Sequence, residues 1–322
     1  MPRLDRGLTD VLPIDLPAGY SARPSRPDDL EATFRLVADA ERHDDGAADV
    51  ALSDIAAEWE RPDFDLETMS IAVWHGNELA ASGDVFMGRA EVDVAPVHRG
   101  RGLGSALLPW TWAVARADGR DSVGQTVSDN RTDAAQLFRA HGYEVAHTSW
   151  ALRIDLGDEA PASPSLPAGF AFRDYRPGED DRAIFDVIDA AFDEWQGRES
   201  HGFDNWAPAF LLRNEVVPEL VPLVVDGARI VGVALNYDYG LDQDTEGWIQ
   251  QLAVDAAYRN RGLGRALLQE SFRRFHGVGY RRCGLSTDSR TGALGLYEHV
   301  GMSVRSSFTR YTKTLAVPEP TT

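Results

Sequence analysis

The sequence predicts an α/β protein of mixed α+β type, built as two tandem copies of one domain, each a mixed sheet flanked by helices. Three observations predict it. The chain repeats itself: Leu16-Pro17-Ala18-Gly19-Tyr20-Ser21-Ala22-Arg23 returns as Leu166-Pro167-Ala168-Gly169-Phe170-Ala171-Phe172-Arg173. Arg99-Gly100-Arg101-Gly102-Leu103-Gly104 returns as Arg259-Asn260-Arg261-Gly262-Leu263-Gly264, and Leu137-Phe138 with Gly142 returns as Leu296-Tyr297 with Gly301. Three matches in one order, at offsets of 150 to 160 residues, mark a duplication. Between the copies, the Pro/Ser-rich stretch 157–165 reads as a linker. The first domain is therefore 15–156 and the second 166–316. Finally, each copy runs through antiparallel hairpins before a strand–glycine turn–helix unit.

In order, Tyr20–Arg23 reads as an edge strand, and Asp28-Asp29-Leu30 starts a helix that runs to about Ala40. A second helix lies near Ala51–Trp59. Ser70–Trp74 and Leu79–Phe86 form a hairpin through His75-Gly76-Asn77, followed by a strand at Glu91–Ala95 and a helix at Leu103–Ala115. The second copy repeats the plan with a helix at Asp180–Ala191, a hairpin around Asp226-Gly227, a strand at Trp248–Val254 and a helix at Leu263–Phe275. Late strands, Ala146–Leu156 and Arg305–Leu315, end each copy, and the tail from Pro318 onward reads as disordered.

A length of 322 residues suits two cores, and the 43% hydrophobic content with eight Trp suits packed domains. The net charge of −19 argues against nucleic acid, whose phosphates need a basic surface. An acidic surface suits a cationic substrate, and it also serves solubility alone. With a single Cys, Cys283 in a strand-like run, no intrachain disulfide and no Cys-based zinc site can form. No His/Asp/Glu cluster has metal-ligand spacing, so no metal is expected. Neither a signal peptide nor an apolar run of 18 residues occurs, so the expectation is a cytoplasmic protein with no membrane partner, monomeric or homodimeric.

The glycine turns carry the chemistry. A helix N-terminus presents unpaired N–H groups and partial positive charge, and glycines let that backbone approach a pyrophosphate. Arg259, Arg261 and Arg265 add charge at the rim of the second turn, and Leu263, Leu267, Leu268, Phe272 and Phe275 would pin its helix to the sheet. A lone Gly-x-Gly also serves as a plain structural turn. A P-loop would need Gly-Lys-Ser/Thr, and the only Lys is Lys313. A dinucleotide fingerprint would need a third Gly where Leu107 and Leu267 stand.

Both turns, with the preceding Val94 and Val254, resemble the acetyl-CoA pyrophosphate loop of the GNAT N-acetyltransferase superfamily, Arg/Gln-x-x-Gly-x-Gly/Ala. Its second signature, Asn-x-x-Ala-x-x-Leu-Tyr-x-x-x-Gly, reads in the first copy as Asn130 through Ala134, Leu137, Phe138 and Gly142, and in the second as the run from Thr291 through Ala293, Leu296 and Tyr297 to Gly301. The resemblance spans nearly the whole chain, which looks like the tandem group that includes mycothiol synthase. It implies acetyl-CoA as cosubstrate. The residues implied to hold it are Leu252, Ala253, Val254, Arg259, Asn260, Arg261, Gly262, Leu263, Gly264 and Arg265 in the second copy. In the first they are Val94, Arg99, Gly100, Arg101, Gly102, Leu103 and Gly104.

The same resemblance implies that Tyr297 protonates the departing thiolate. Tyr297 stands 33 residues beyond Gly264, and Phe138 stands 34 beyond Gly104, so the first copy has the ring without the hydroxyl. The second copy is thus expected to be catalytic, and the first to bind CoA with weak or no activity. Relatives often place a basic carboxylate on the strand before the loop. Gln250 and Gln251 stand there in this chain, which leaves Glu246 as the nearest candidate base. Asp193, Glu194, Trp195 and Trp206 mix aromatics with carboxylates and are the candidate acceptor wall. The expected reaction is acetyl transfer to the primary amine of a small molecule by direct attack. The alternative is a non-catalytic acyl-CoA-binding or regulatory tandem protein.

Overall fold

The alternation of hairpins and helices expected from the sequence is present in the computed structural model, which describes residues 14–48, 50–61, 63–193, 202–241 and 246–315. The chain divides into two compact units, residues 1–148 with 308–322 (unit 1) and residues 149–307 (unit 2).

The first repeat contributes β1 (Tyr20–Arg23), α1 (Leu30–Asp45), α2 (Leu52–Trp59), α3 (Leu66–Met69), β2 (Ser70–His75), β3 (Glu78–Phe86), β4 (Arg89–Val94), α4 (Leu103–Ala117), β5 (Ser122–Ser128), α5 (Thr132–Ala140) and β6 (Glu144–Asp155). The second contributes β7 (Phe170–Asp174), α6 (Asp181–Phe192), α7 (Phe203–Trp206), β8 (Pro222–Asp226), β9 (Arg229–Tyr237), β10 (Gly247–Val254), α8 (Leu263–Gly277), β11 (Arg282–Asp288), α9 (Leu294–His299) and β12 (Ser303–Thr314). No helix among the described residues is long and apolar enough to cross a membrane.

Unit 1 has the strand order β1-β2-β3-β4-β5-β12 and unit 2 the order β6-β11-β10-β9-β8-β7. In each, one pair is parallel, β4 with β5 and β10 with β11, and the neighbouring hairpin pairs are antiparallel. The packed units differ from the repeat boundaries 15–156 and 166–316. Phe308–Thr314 of β12 pair with Ser122–Ser128 of β5, and Ser149–Asp155 of β6 pair with Arg282–Asp288 of β11. Each repeat's last strand therefore completes the sheet of the other repeat. Tyr311 and Leu315 correspondingly join the core of unit 1, and Leu152 joins that of unit 2. Residues 157–165 form neither helix nor strand.

The duplication extends to buried electrostatics. Arg23 grips Asp29 through two hydrogen bonds of 2.6 and 2.8 Å, and Arg173 grips Asp180 at 2.7 and 2.8 Å. Each carboxylate also accepts a backbone N–H, from Arg26 or Arg176, which ties the first strand of the copy to its first helix. These guanidinium hydrogen bonds hold both carboxyls below the ordinary aspartate range. A depressed carboxyl stabilises the fold above its unfolded pKa and loses that effect as pH falls through the folded value. Asp29→Ala and Asp180→Ala are each expected to lower the unfolding free energy by about 2 kcal/mol at pH 7, and the deficit should shrink in acid. Urea titrations at pH 7 and pH 3 check this.

Candidate active site

In unit 2 the parallel pairing of β10 with β11 is in register only from Gly247–Ile249 to Cys283–Leu285. Beyond Ile249 the two strands part, and the register of β10 against β9 slips by one residue between Ile249 and Gln251. The bulged residue is Gln250. A bulge interrupts the ladder and re-aims the side chains around it. The C-terminal half of β10, with Leu252, Ala253 and Val254, thus has one backbone edge facing an open V, where an extended thioester arm can pair. The mouth of such a crevice, at the carboxyl ends of parallel strands, is where ligands seat on α/β sheets.

The turn closes the mouth. Asn260 and Gly262 take left-handed φ values of 61° and 80°. Asn is the non-glycine residue that best tolerates this region, and Gly262 enters it without cost as the N-cap of α8. The first helical bond runs from Ala266 N–H to Gly262 O, so the N–H groups of Leu263, Gly264 and Arg265 have no helical acceptor. Leu263 is buried and pins the helix, while Arg261 and Arg265 are exposed at the rim. Arg259 Nε donates to Val254 O at 3.2 Å, bracing the turn against the strand. A methyl group at Gly264 would meet Leu296 at an ordinary 3.6 Å, so its glycine is not demanded by packing alone.

Tyr297 on α9 is buried, and its hydroxyl meets the Thr287 side chain near the end of β11. Burial pushes the phenol up to about 12, so it holds its proton at neutral pH and can donate it. Glu246 is elsewhere. Its carboxylate is held by Arg153 Nε at 2.5 Å, and it precedes Gly247, which pairs with Cys283. That carboxylate lies over Gly284, three residues short of Thr287 along β11, roughly 10 Å at the strand rise. Distance and the arginine both argue against Glu246 as the base. Gln251 is the unforeseen residue: its Oε1 is buried and has no hydrogen-bond partner among the described residues. Leu252 and Val254 pack on the α8 side and Ala253 on the α6 side, so alternation puts Gln251 on the α6 side.

The expected acceptor wall is only partly present. Asp193 is exposed at the C-cap of α6, and Glu194 and Trp195 lie outside the described residues. Trp206 is a core residue, packed between Phe185 and Phe210 with ring centroids at 5.4 and 6.1 Å. Its burial argues against a place in an open acceptor wall. Cys283 is buried, and that burial pushes its thiol up, away from nucleophilic use.

Unit 1 repeats the frame with altered contents. β4 and β5 share a single register pair, Arg89 with Gly124, so the V opens earlier, and β4 pairs with β3 without a bulge. Gly100 and Gly102 take φ of 71° and 89°, and Ala106 N–H to Gly102 O is the first helical bond, leaving Leu103 and Gly104 N–H groups exposed to the turn. Here the methyl of an alanine at Gly104 would come within 2.9 Å of Leu137. Arg99 Nε donates to Val94 O, as Arg259 does to Val254, and the Arg99 guanidinium forms a bidentate pair with Asp44 at 2.5 and 2.9 Å. Asp44 holds Arg131 as well, at 3.2 Å. Arg101 remains exposed, but Ser105 replaces Arg265. The unit 1 turn is therefore poorer in positive charge for a phosphate. Phe138 sits in the core against Tyr143 and Tyr311, with centroids at 5.1 and 5.4 Å.

The α2-side face of β4 is acidic. Burial, reinforced by Glu91, raises Asp93 from 3.8 to about 6. Between those values the native state binds more protons than the unfolded chain, so stability falls as pH rises from about 4 to 6. Asp93→Asn should remove that slope. The variant should match the parent at pH 4 and exceed it at pH 8 by on the order of 1–3 kcal/mol, read from denaturant midpoints.

Residues 182–302, which fall in the second copy, match the acetyltransferase (GNAT) family. A mycothiol acetyltransferase from Thermobispora bispora is 30% identical over 230 residues, 69% of this chain and 72% of that protein. Another, from Catenulispora acidiphila, is 27% identical over 319 residues, 91% of this chain and 98% of its own. Among solved structures, a GCN5-related N-acetyltransferase from Sphaerobacter thermophilus superposes with a TM-score of 0.77 at 31% identity, covering 93% of this chain and 96% of that one.

Proposed function

Because the chain belongs to the GNAT family of acetyltransferases and takes acetyl-CoA as its cosubstrate, we propose that unit 2 transfers the acetyl group to the primary amine of a small molecule by direct attack. The observation that carries this reading is the Tyr297 hydroxyl, which meets Thr287 on β11, two residues beyond the last pair of β11 with β10. The N–H groups at the start of α8, with Arg261 and Arg265, bind the pyrophosphate. The free edge of Leu252–Val254 pairs with the pantetheine arm and orients the thioester carbonyl. The amine nitrogen forms a bond to that carbonyl carbon, the C–S bond breaks, and Tyr297 gives its proton to the thiolate. Gln251 Oε1 accepts an N–H of the incoming amine, which aims its lone pair; an amide takes up no proton, so the amine's proton leaves to water, and the Tyr297 phenolate regains one from water.

Relatives named mycothiol acetyltransferase support a small-molecule acceptor. In unit 1 the Phe138 ring and the Asp44–Arg99 pair support a site that binds CoA weakly and does not transfer. Thiol release from acetyl-CoA, measured against a broad panel of primary amines, tests the reading. Acetylated product from at least one amine, with stoichiometric thiol, is expected. No release with any amine would instead support an acyl-CoA-binding protein without turnover.

A further inference from the structure

Tyr297 belongs to a chain of hydroxyls. Thr287, the sixth residue of β11, is buried, and its Oγ1 lies 2.9 Å from Thr291 Oγ1 in the loop before α9. Counting protons gives the chain a direction. Thr291 has one hydroxyl proton and donates it to Asp288 O at 2.8 Å, while it accepts the Ala293 N–H at 3.0 Å. Thr287 is therefore the donor to Thr291, and its lone pairs are left for the Tyr297 hydroxyl that it meets.

A threonine hydroxyl so placed has two uses. At rest it accepts the phenol O–H and fixes where that oxygen stands. Once Tyr297 has given its proton to the thiolate, the buried phenolate needs a donor, and the Thr287 O–H reaches it by turning about its own C–O bond. Thr291 keeps the Ala293 N–H when this happens. A hydrogen bond to an ionised oxygen is stronger than one between neutral groups, so the turn favours the phenolate. In keeping with this, burial raises the Tyr297 phenol and the Thr287 hydrogen bond draws it back.

Unit 1 is an internal control. β5 and β11 each have seven residues, and the third of each, Gly124 or Gly284, pairs across the parallel ladder. Val127 therefore holds the place of Thr287, as Phe138 holds that of Tyr297. Valine keeps nearly the shape of threonine without its oxygen, and Val127 packs against the core cluster that contains Phe138. The fold thus accepts an apolar residue at both positions. The two hydroxyls occur together in unit 2 and are missing together from unit 1.

With Tyr297 as the acid, the reading on which this rests, we propose that Thr287 is a positioning residue for acetyl transfer. Its hydroxyl holds the Tyr297 phenol at rest and donates to the phenolate until water returns the proton.

A double-mutant cycle on the full chain, read by steady-state kinetics with acetyl-CoA and an accepted primary amine, tests the proposal. Thr287→Val is expected to lower kcat by about tenfold, with the KM for acetyl-CoA changed by less than about twofold. Thr287→Ser keeps the hydroxyl and should bring kcat back to within about threefold of the parent. In the Tyr297→Phe background no phenolate forms, so adding Thr287→Val should lower kcat by less than about twofold further. A parent-like kcat in Thr287→Val, an equal loss in both backgrounds, or a serine variant as slow as the valine one would each overturn the proposal and leave Tyr297 as the acid. A parent-like kcat in Tyr297→Phe, or no turnover with any amine, would remove the acid reading and the proposal with it. Thermal midpoints accompany every variant, and if Thr287→Val does not fold, Thr287→Ala takes its place in the same cycle.

Discussion

Tyr297→Phe is expected to lower kcat by about 10²- to 10⁴-fold, the usual worth of a positioned general acid, with the KM for acetyl-CoA changed by less than about threefold. The asymmetry follows from where the hydroxyl sits. It meets Thr287 at the end of β11, whereas the phosphate-binding N–H groups are on the turn before α8. The substitution keeps the ring in its core cluster and removes one hydroxyl, a stability loss of about 1 kcal/mol. Steady-state kinetics with any accepted amine, alongside a thermal denaturation control, reads both parts. A KM effect without a kcat effect would remove the acid role from Tyr297.

Gly262→Val should have the second large effect, this time on the cosubstrate. Gly262 has φ 80° and no atom of the described residues within 4 Å of where its Cβ would be, so the harm is conformational rather than steric. A β-branched residue there costs at least about 1–2 kcal/mol. The turn escapes by rotating, which swings the open N–H groups away from the pyrophosphate. Losing two charge-assisted hydrogen bonds at about 1.5–3 kcal/mol each should raise the KM for acetyl-CoA by about a hundredfold. Gly102→Val is the matched control, with φ 89° and only Pro17 near, at 3.6 Å. It should leave kcat/KM within about twofold, because unit 1 has no phenol at position 138 and its Arg99 is tied to Asp44. Loss of activity from Gly102→Val alone would place the chemistry in unit 1.

The duplication, both glycine turns and the Tyr297/Phe138 difference were legible in the sequence because each is a local pattern: a fixed spacing, a conformational need for glycine, one oxygen atom. The exchange of last strands was not. β6 and β12 end equivalent repeats, so either strand satisfies the same pattern, and their partners are fixed only when whole sheets assemble. The surroundings of the candidate base were hidden for a related reason. Glu246 is close to Gln250 in sequence, but Arg153 comes from β6, ninety-three residues away, and no spacing rule announces that pair. Gln251 was visible only as a missing carboxylate; its value comes from an unpartnered oxygen, which requires coordinates. Likewise Asp84 and Asp93 alternate with apolar residues along their strands and read as solvent-facing charges. Only the packing of α1 and α2 over that face reveals them as desolvated. Trp206 illustrates the opposite error, an aromatic near carboxylates that packs into the core.

The central claim is that Tyr297 assists departure of the thiolate. The direct test compares acetyl-CoA with its seleno analogue as donors, for the parent and for Tyr297→Phe. A selenol is a stronger acid than a thiol, so its anion leaves with little need of a proton. The account predicts that the Tyr297→Phe deficit in kcat shrinks by about tenfold or more with the seleno donor. An equal deficit with both donors would contradict it and reduce Tyr297 to a packing residue.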